Sequence, residues 1–169
     1  MLKTNNLVLI GIDFSINKPG ICIFKNNNYE FVSFPFELSK SQLQIYKNSP
    51  LNLIERTDQK YKGKNSSEKM RFDVSNSEYL ANLIFDNVLI YLKDNKNYKN
   101  IYLGFEGLSF GSKGNVMLQL SGYKYILMNV FSKIIPYERM FTYAPITIKS
   151  IAGCAEKGKG TKKMINDFL

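Results

Sequence analysis

Residues 7–13, LVLIGID, form an almost unbroken apolar run that ends in an acid, the pattern of a strand buried on both faces whose last residue reaches the sheet edge. After a turn at Asn17, Lys18 and Pro19, residues 20–25 make a second short apolar run. The NNN at 26–28 reads as a hairpin turn, and residues 29–36 alternate apolar with polar as far as Pro35. These three segments predict an antiparallel meander. Residues 37–73 have no clean period, contain Pro50 and Gly63, and carry seven Lys or Arg between Lys47 and Arg71. They predict a basic, mostly irregular and mobile insertion, which is either a solvated loop or an arm that touches phosphates.

Regular pattern returns in SNSEYLANLIFDNVLIYLKD, where Ser75 and Glu78 have capping-box spacing and Leu80, Leu83, Ile84, Val88 and Tyr91 share one helical face. NIYLGFEG, residues 100–107, predicts a second core strand, and it ends in Glu106 as the first ended in Asp13. The loop GLSFGSKGN then leads into a predicted helix over 116–133, with Leu120, Tyr123, Leu127, Val130 and Ile134 on its buried side and Pro136 as the stop. A strand around 139–143 and a Gly/Lys-rich loop opening a last helix complete the chain. The order β-β-β-α-β-α-β-α predicts an α/β fold in one domain over 1–169: a mixed sheet of three antiparallel strands followed by parallel ones, with helices on both faces. With 169 residues, 44% of them hydrophobic, the chain can bury one sizeable core.

Composition narrows the chemistry. The chain has no histidine, which excludes Ser-His-Asp triads, Cys-His dyads and HExxH zinc sites. A metal would therefore be held mainly by carboxylates, the ligand set of hard ions such as Mg²⁺ or Mn²⁺. A formal charge of +9 suits a polyanionic partner. Cys22 and Cys154 lie far apart with no metal-ligand spacing and read as buried thiols. The apolar run at 7–12 is too short for a membrane span or a signal peptide, so a soluble cytoplasmic protein with no membrane partner is expected.

In open α/β sheets, sites form beyond the carboxyl ends of neighbouring parallel strands. If the Asp13 and Glu106 strands are such neighbours, two carboxylates sit side by side and repel, unless one is protonated or a cation lies between them. The alternative is that each acid simply ends its strand in water. Lys113, Lys157, Lys159, Lys162 and Lys163 are candidate phosphate contacts, since loop glycines and a helix N-terminus let backbone N–H groups approach an anion. They read equally as a solvated tail. Phe110 can stack on an unpaired base or fold back on the core. GCAEKGKG, 153–160, nearly satisfies the P-loop pattern Gly-x4-Gly-Lys-Ser/Thr, but Gly160 stands where the metal-binding hydroxyl belongs. GIDFS likewise has Ser15 where an actin-like phosphate loop wants Gly, so no nucleotide cofactor is expected.

GIDFSINKPGICIF resembles the first strand and hairpin of the RuvC-like Holliday junction resolvases, nucleases of the RNase H-like superfamily, whose Gly-Ile-Asp-x-Ser-x-x-x-x-Gly pattern carries the first catalytic Asp. GFEGLSFGSKGNVMLQLSGYKYIL resembles the second segment of phage-type members, and YAPITIKSIAGCAEKGKGTKKMI their third. The resemblance implies an RNase H-like fold in which Asp13 and Glu106 are catalytic metal ligands. It implies a Mg²⁺- or Mn²⁺-dependent endonuclease that cuts Holliday junctions or other branched DNA by a two-metal mechanism, with Lys163 approaching a DNA phosphate. It also implies a twofold homodimer, for which the helix over 116–133, with Tyr123, Tyr125, Met128 and Phe131, is the candidate contact. If the gene is a phage's, the cytoplasm is that of the host cell. The family draws one or two further Asp ligands from an Asp-x-x-Asp-Ala-like motif on a final helix. Here Asp167 is the only acid in the closing stretch, so it is the third candidate metal ligand, and a chain lacking the C-terminal helix is expected. The rival reading is a catalytically weak or inactive RNase H-like module that binds branched nucleic acid.

Overall fold

In a computed structural model, which describes residues 7–58, 60–93, 100–107, 114–144 and 147, six strands form one sheet. They are β1 (Val8–Asp13), β2 (Gly20–Lys25), β3 (Asn28–Ser33), β4 (Leu51–Leu53), β5 (Ile101–Glu106) and β6 (Met140–Tyr143), in the order β4-β3-β2-β1-β5-β6. The pairs β1–β2 and β2–β3 are antiparallel, while β3–β4, β1–β5 and β5–β6 are parallel. Helices α1 (Lys40–Lys47), α2 (Ser66–Leu92) and α3 (Asn115–Phe131) complete a mixed α/β fold of the class that the hydrophobic pattern predicts. Asn26 and Asn27 make the β2–β3 turn with φ of 53° and 62°, a left-handed pair that short polar Asn side chains tolerate and that matches strand twist.

β1 is buried on alternate residues, which corrects the expectation of burial on both faces. Val8, Ile10 and Ile12 enter the core, whereas Leu9, Gly11 and Asp13 lie on the other face. The core joins these three to Ile21 and Ile23 of β2, Ile101, Leu103 and Phe105 of β5, Leu80, Ile84 and Val88 of α2, and Leu127 and Phe131 of α3. Each such side chain contributes about 1.5–3 kcal/mol on burial.

Segment 37–73 also departs from expectation. It holds α1, β4 and the first two turns of α2. Ser39 and Gln42 form a capping box that starts α1. α2 starts at Asn65, whose side chain accepts hydrogen bonds from Ser67 N and Glu68 N, so the Ser75–Glu78 spacing falls inside a helix of 27 residues and caps nothing. No helix among the described residues is long and apolar enough to cross a membrane. Cys22 is a half-buried free thiol whose pKa burial pushes up, and Cys154 lies outside the described residues.

The helix expected as a dimer contact keeps less apolar surface than its sequence suggests. Tyr123 and Phe131 are buried, and Met128 packs against the core. Tyr125, with Met117 and Leu118 further up α3, remains exposed.

Candidate active site

Parallel pairing of β1 with β5 runs in register from Val8 opposite Ile101 to Ile12 opposite Phe105. Asp13 and Glu106 are the next residues of the two strands, so they end adjacent strands at the carboxyl edge, where chains lie about 4.8 Å apart. The two-residue alternation puts both acids on the face that carries Leu9, Gly11, Tyr102 and Gly104, away from the core. β6 continues the row, with Tyr143 opposite Glu106. Behind the acids, Gly11 pairs with Gly104. A Cβ added at either would meet nothing nearer than 3.7 Å, the nearest atom at Gly104 being in the Tyr143 ring, so packing does not demand glycine there.

Gly107 behaves differently. Its N–H donates to Tyr143 O at 2.6 Å, and an added Cβ would stand 3.0 Å from that same oxygen. Gly107→Ala is therefore expected to force apart the ends of β5 and β6 and lower Tm by a few degrees, whereas Gly104→Ala leaves Tm unchanged. Thermal melts followed by circular dichroism check the pair, and equal melts would contradict the close approach.

On the core side of the same edge, Lys124 of α3 donates from Nζ to Thr142 Oγ1 at 3.0 Å and lies 5.6 Å from the Phe105 ring centre. Phe105 and Thr142 immediately precede Glu106 and Tyr143, so this ammonium stands behind the acidic row. Burial lowers its pKa from the ordinary lysine value. Sequence reading missed Lys124; its signal was a lone cation inside the otherwise uncharged stretch LSGYKYILM.

The chain after Asp13 is tied down by several bonds. Ser15 Oγ accepts from Lys18 N at 2.9 Å, Asn17 O accepts from Phe36 N at 2.8 Å, and the Phe14 ring lies 6.0 Å from that of Tyr123. The Arg56 guanidinium donates to Ile16 O and pairs with Asp58. Arg56 belongs to the segment read as either a solvated loop or a phosphate-touching arm, yet its side chain is only 1% exposed and pairs with Asp58 inside the fold.

Of the site residues expected from sequence, Asp13 and Glu106 are brought together as anticipated. Asp167, Lys113, Lys157, Lys159, Lys162, Lys163 and Phe110 lie outside the described residues. Among the described residues no group of three or more His, Cys, Asp or Glu side chains gathers. Two carboxylates at a solvent-facing edge still suit Mg²⁺ or Mn²⁺, since Mg²⁺ commonly takes one or two carboxylates and completes its shell with water and substrate phosphate.

No protein-family model matches the chain, and no curated protein matches it. Among solved structures it is similar to Thermus thermophilus RuvC in complex with a Holliday junction substrate, at 11% identity over 85% of this chain and 68% of that one, with a TM-score of 0.45. It is also similar to Thermus thermophilus RuvC alone, at 13% identity over 89% of this chain and 74% of that one, with a TM-score of 0.44.

Proposed function

We propose that this protein is an RNase H-like endonuclease of the RuvC type that hydrolyses phosphodiesters in Holliday junctions or other branched DNA with Mg²⁺ or Mn²⁺. The observation that carries this reading is the pair Asp13 and Glu106, side by side on one face at the carboxyl ends of parallel neighbours in a histidine-free chain of charge +9. Asp13 and Glu106 would hold the divalent ions, and Asp167 is the proposed third ligand. When bound, such ions polarise the scissile phosphate and bring an attacking water to a usable pKa. The carboxylates fix the position of that centre at the sheet edge. The Gly11–Gly104 pair places no side chain directly behind them, and the Tyr143 ring stands beside Gly104.

Lys113, Lys157, Lys159, Lys162 and Lys163 are proposed to contact phosphates, and Phe110 to stack on an unpaired base. Replacing Lys162 and Lys163 together with Ala is expected to weaken DNA binding and to flatten the plot of log affinity against log salt by about 0.9 for each phosphate no longer neutralised. Binding titrations at several salt concentrations check this; an unchanged slope returns the cluster to a solvated tail. A four-way junction offers two equivalent strands, so the reading includes a twofold homodimer, with Leu118 and Tyr125 of α3 supplying exposed apolar surface.

The rival, a module that binds branched DNA without cutting it, draws support from the donor count, two carboxylates among the described residues. Incubation with four-way junction DNA in Mg²⁺, Mn²⁺ and EDTA separates the two. Product in either metal and none in EDTA is expected. Binding in EDTA with no product in either metal would favour the module.

A further inference from the structure

The face of the sheet that carries Asp13 and Glu106 also carries a row of aromatic rings. Tyr102 of β5 and Phe141 and Tyr143 of β6 are 37%, 41% and 42% exposed. Pairing in register sets Phe141 level with Gly104 and Tyr143 level with Glu106, so the row climbs along β5 and β6 toward the acids. The ring centres of Tyr102 and Phe141 are 6.4 Å apart with planes at 25°, and those of Phe141 and Tyr143 are 6.3 Å apart with planes at 28°. At the end far from the acids, the Arg139 guanidinium carbon lies 5.7 Å from the Tyr102 ring centre.

Contiguous exposed aromatic surface of this kind marks a place of interaction. At the level of Phe141 the neighbouring strands carry Gly104 and Gly11, so no wall rises there around an inserted side chain, and such a walled pocket is what a protein partner's anchor residue fills. A nucleobase needs only the face of a ring. The step from ring to ring, 6.3–6.4 Å, is nearly twice the roughly 3.4 Å between stacked bases of a duplex strand, so the row cannot follow a stacked strand. It suits a strand whose bases are drawn apart, one to a ring. The formal charge of +9 favours such a polyanion over a neutral apolar partner.

We infer that Tyr102, Phe141 and Tyr143 form a stacking platform for about three nucleotides of unpaired, single-stranded DNA leading away from Asp13 and Glu106. The inference rests on the branched-DNA reading above and deepens it by adding an unpaired strand to what that face of the sheet holds. Every base has a π-face, so the platform tolerates any sequence and holds the strand rather than choosing it. A strand stacked there is kept from re-pairing beside the acids.

The test uses the full chain in EDTA with two probes of equal length and charge, a short single-stranded oligothymidylate and a wholly abasic strand. The parent is expected to bind the thymidylate at least about tenfold tighter than the abasic strand, the scale of base–aromatic stacking. Tyr102→Leu and Phe141→Leu should each weaken thymidylate binding by about tenfold, leave abasic binding unchanged and keep the salt slope, because no phosphate contact is removed. Leu retains apolar bulk at positions more than a third exposed, so both variants should melt with the parent. Tyr102→Phe, which keeps the ring, should bind as the parent does. Equal binding of the two probes by the parent, or Leu variants that bind thymidylate as tightly as the parent, overturns the platform. So does a fall in Tm with affinity unchanged, which would mean that the rings pack against protein. Each of these outcomes leaves the nuclease reading in place, since cleavage of four-way junctions in Mg²⁺ or Mn²⁺ is measured separately on the same preparations.

Discussion

Asp13→Asn and Glu106→Gln are each expected to lower cleavage of branched DNA by about three orders of magnitude while binding stays equal or tightens. The size follows from removing one carboxylate of the proposed metal centre, since metal stabilisation of a phosphoryl transition state is worth several kcal/mol and about 4 kcal/mol is a thousandfold in rate. The sign on binding follows from charge, because both substitutions take a negative group away from the phosphates. Neither should harm folding. Asp13 is exposed and Glu106 half-exposed at the rim of the sheet, and Asn and Gln keep their volumes. Single-turnover cleavage and a binding titration on the same preparations decide the matter. Variants that fold and still cut at the parent's rate would place the chemistry elsewhere. Variants that fold but no longer bind would mean that these acids contact DNA through something other than a metal.

The strand skeleton was legible because each strand is a short apolar run with a clear stop. Asp13 and Glu106 stood out in sequence because each is an acid at the exit of a core strand, and that same placement ends them on adjacent strands at the sheet edge. What the pattern overstated is the burial of β1. Gly11 and Asp13 already break the apolar character of its second face, and Leu9, Gly11 and Asp13 are all exposed there. What the pattern hid is the start of α2. Met70 and Val74 are exposed on the helix surface, so the apolar period over 66–74 is diluted, and the first strongly periodic residues fall after Ser75. The Ser39–Gln42 box was readable as a cap, and the helix it starts buries no residue. Lys124 could not be read from spacing, because its partners come from β5 and β6. α3 misled in the opposite sense. Its aromatic residues run round the helix, yet Tyr123 and Phe131 face inward against Phe14 and Phe85.

Arg56→Ala is expected to destabilise the fold by about 3–5 kcal/mol, a large share of the roughly 5–15 kcal/mol that holds a domain of this kind together. The side chains of Arg56 and Asp58 are 1% and 5% exposed. Nε donates to Asp58 Oδ1 at 2.8 Å, a second guanidinium nitrogen pairs with Oδ2, the third donates to Ile16 O, and the guanidinium carbon lies 5.4 Å from the Phe36 ring centre. Truncation leaves a buried carboxylate with no counter-charge and a backbone carbonyl with no donor, and both penalties fall on the folded state alone. Arg56→Lys should recover little, because an ammonium cannot span the two carboxylate oxygens and the Ile16 carbonyl as the planar guanidinium does. Arg56→Met combined with Asp58→Leu should recover most of the deficit, since no charge is then left buried. For a chain of this length the single substitution corresponds to a fall in Tm of about 10 °C, readable in a thermal melt. A fall of only a degree or two would mean that water reaches the pair. The double variant carries the sharper consequence. It restores stability without restoring the bond to Ile16 O, three residues past Asp13, so a double variant that melts with the parent yet cleaves more slowly would show that the clamp positions the loop after Asp13 as well as holding the fold.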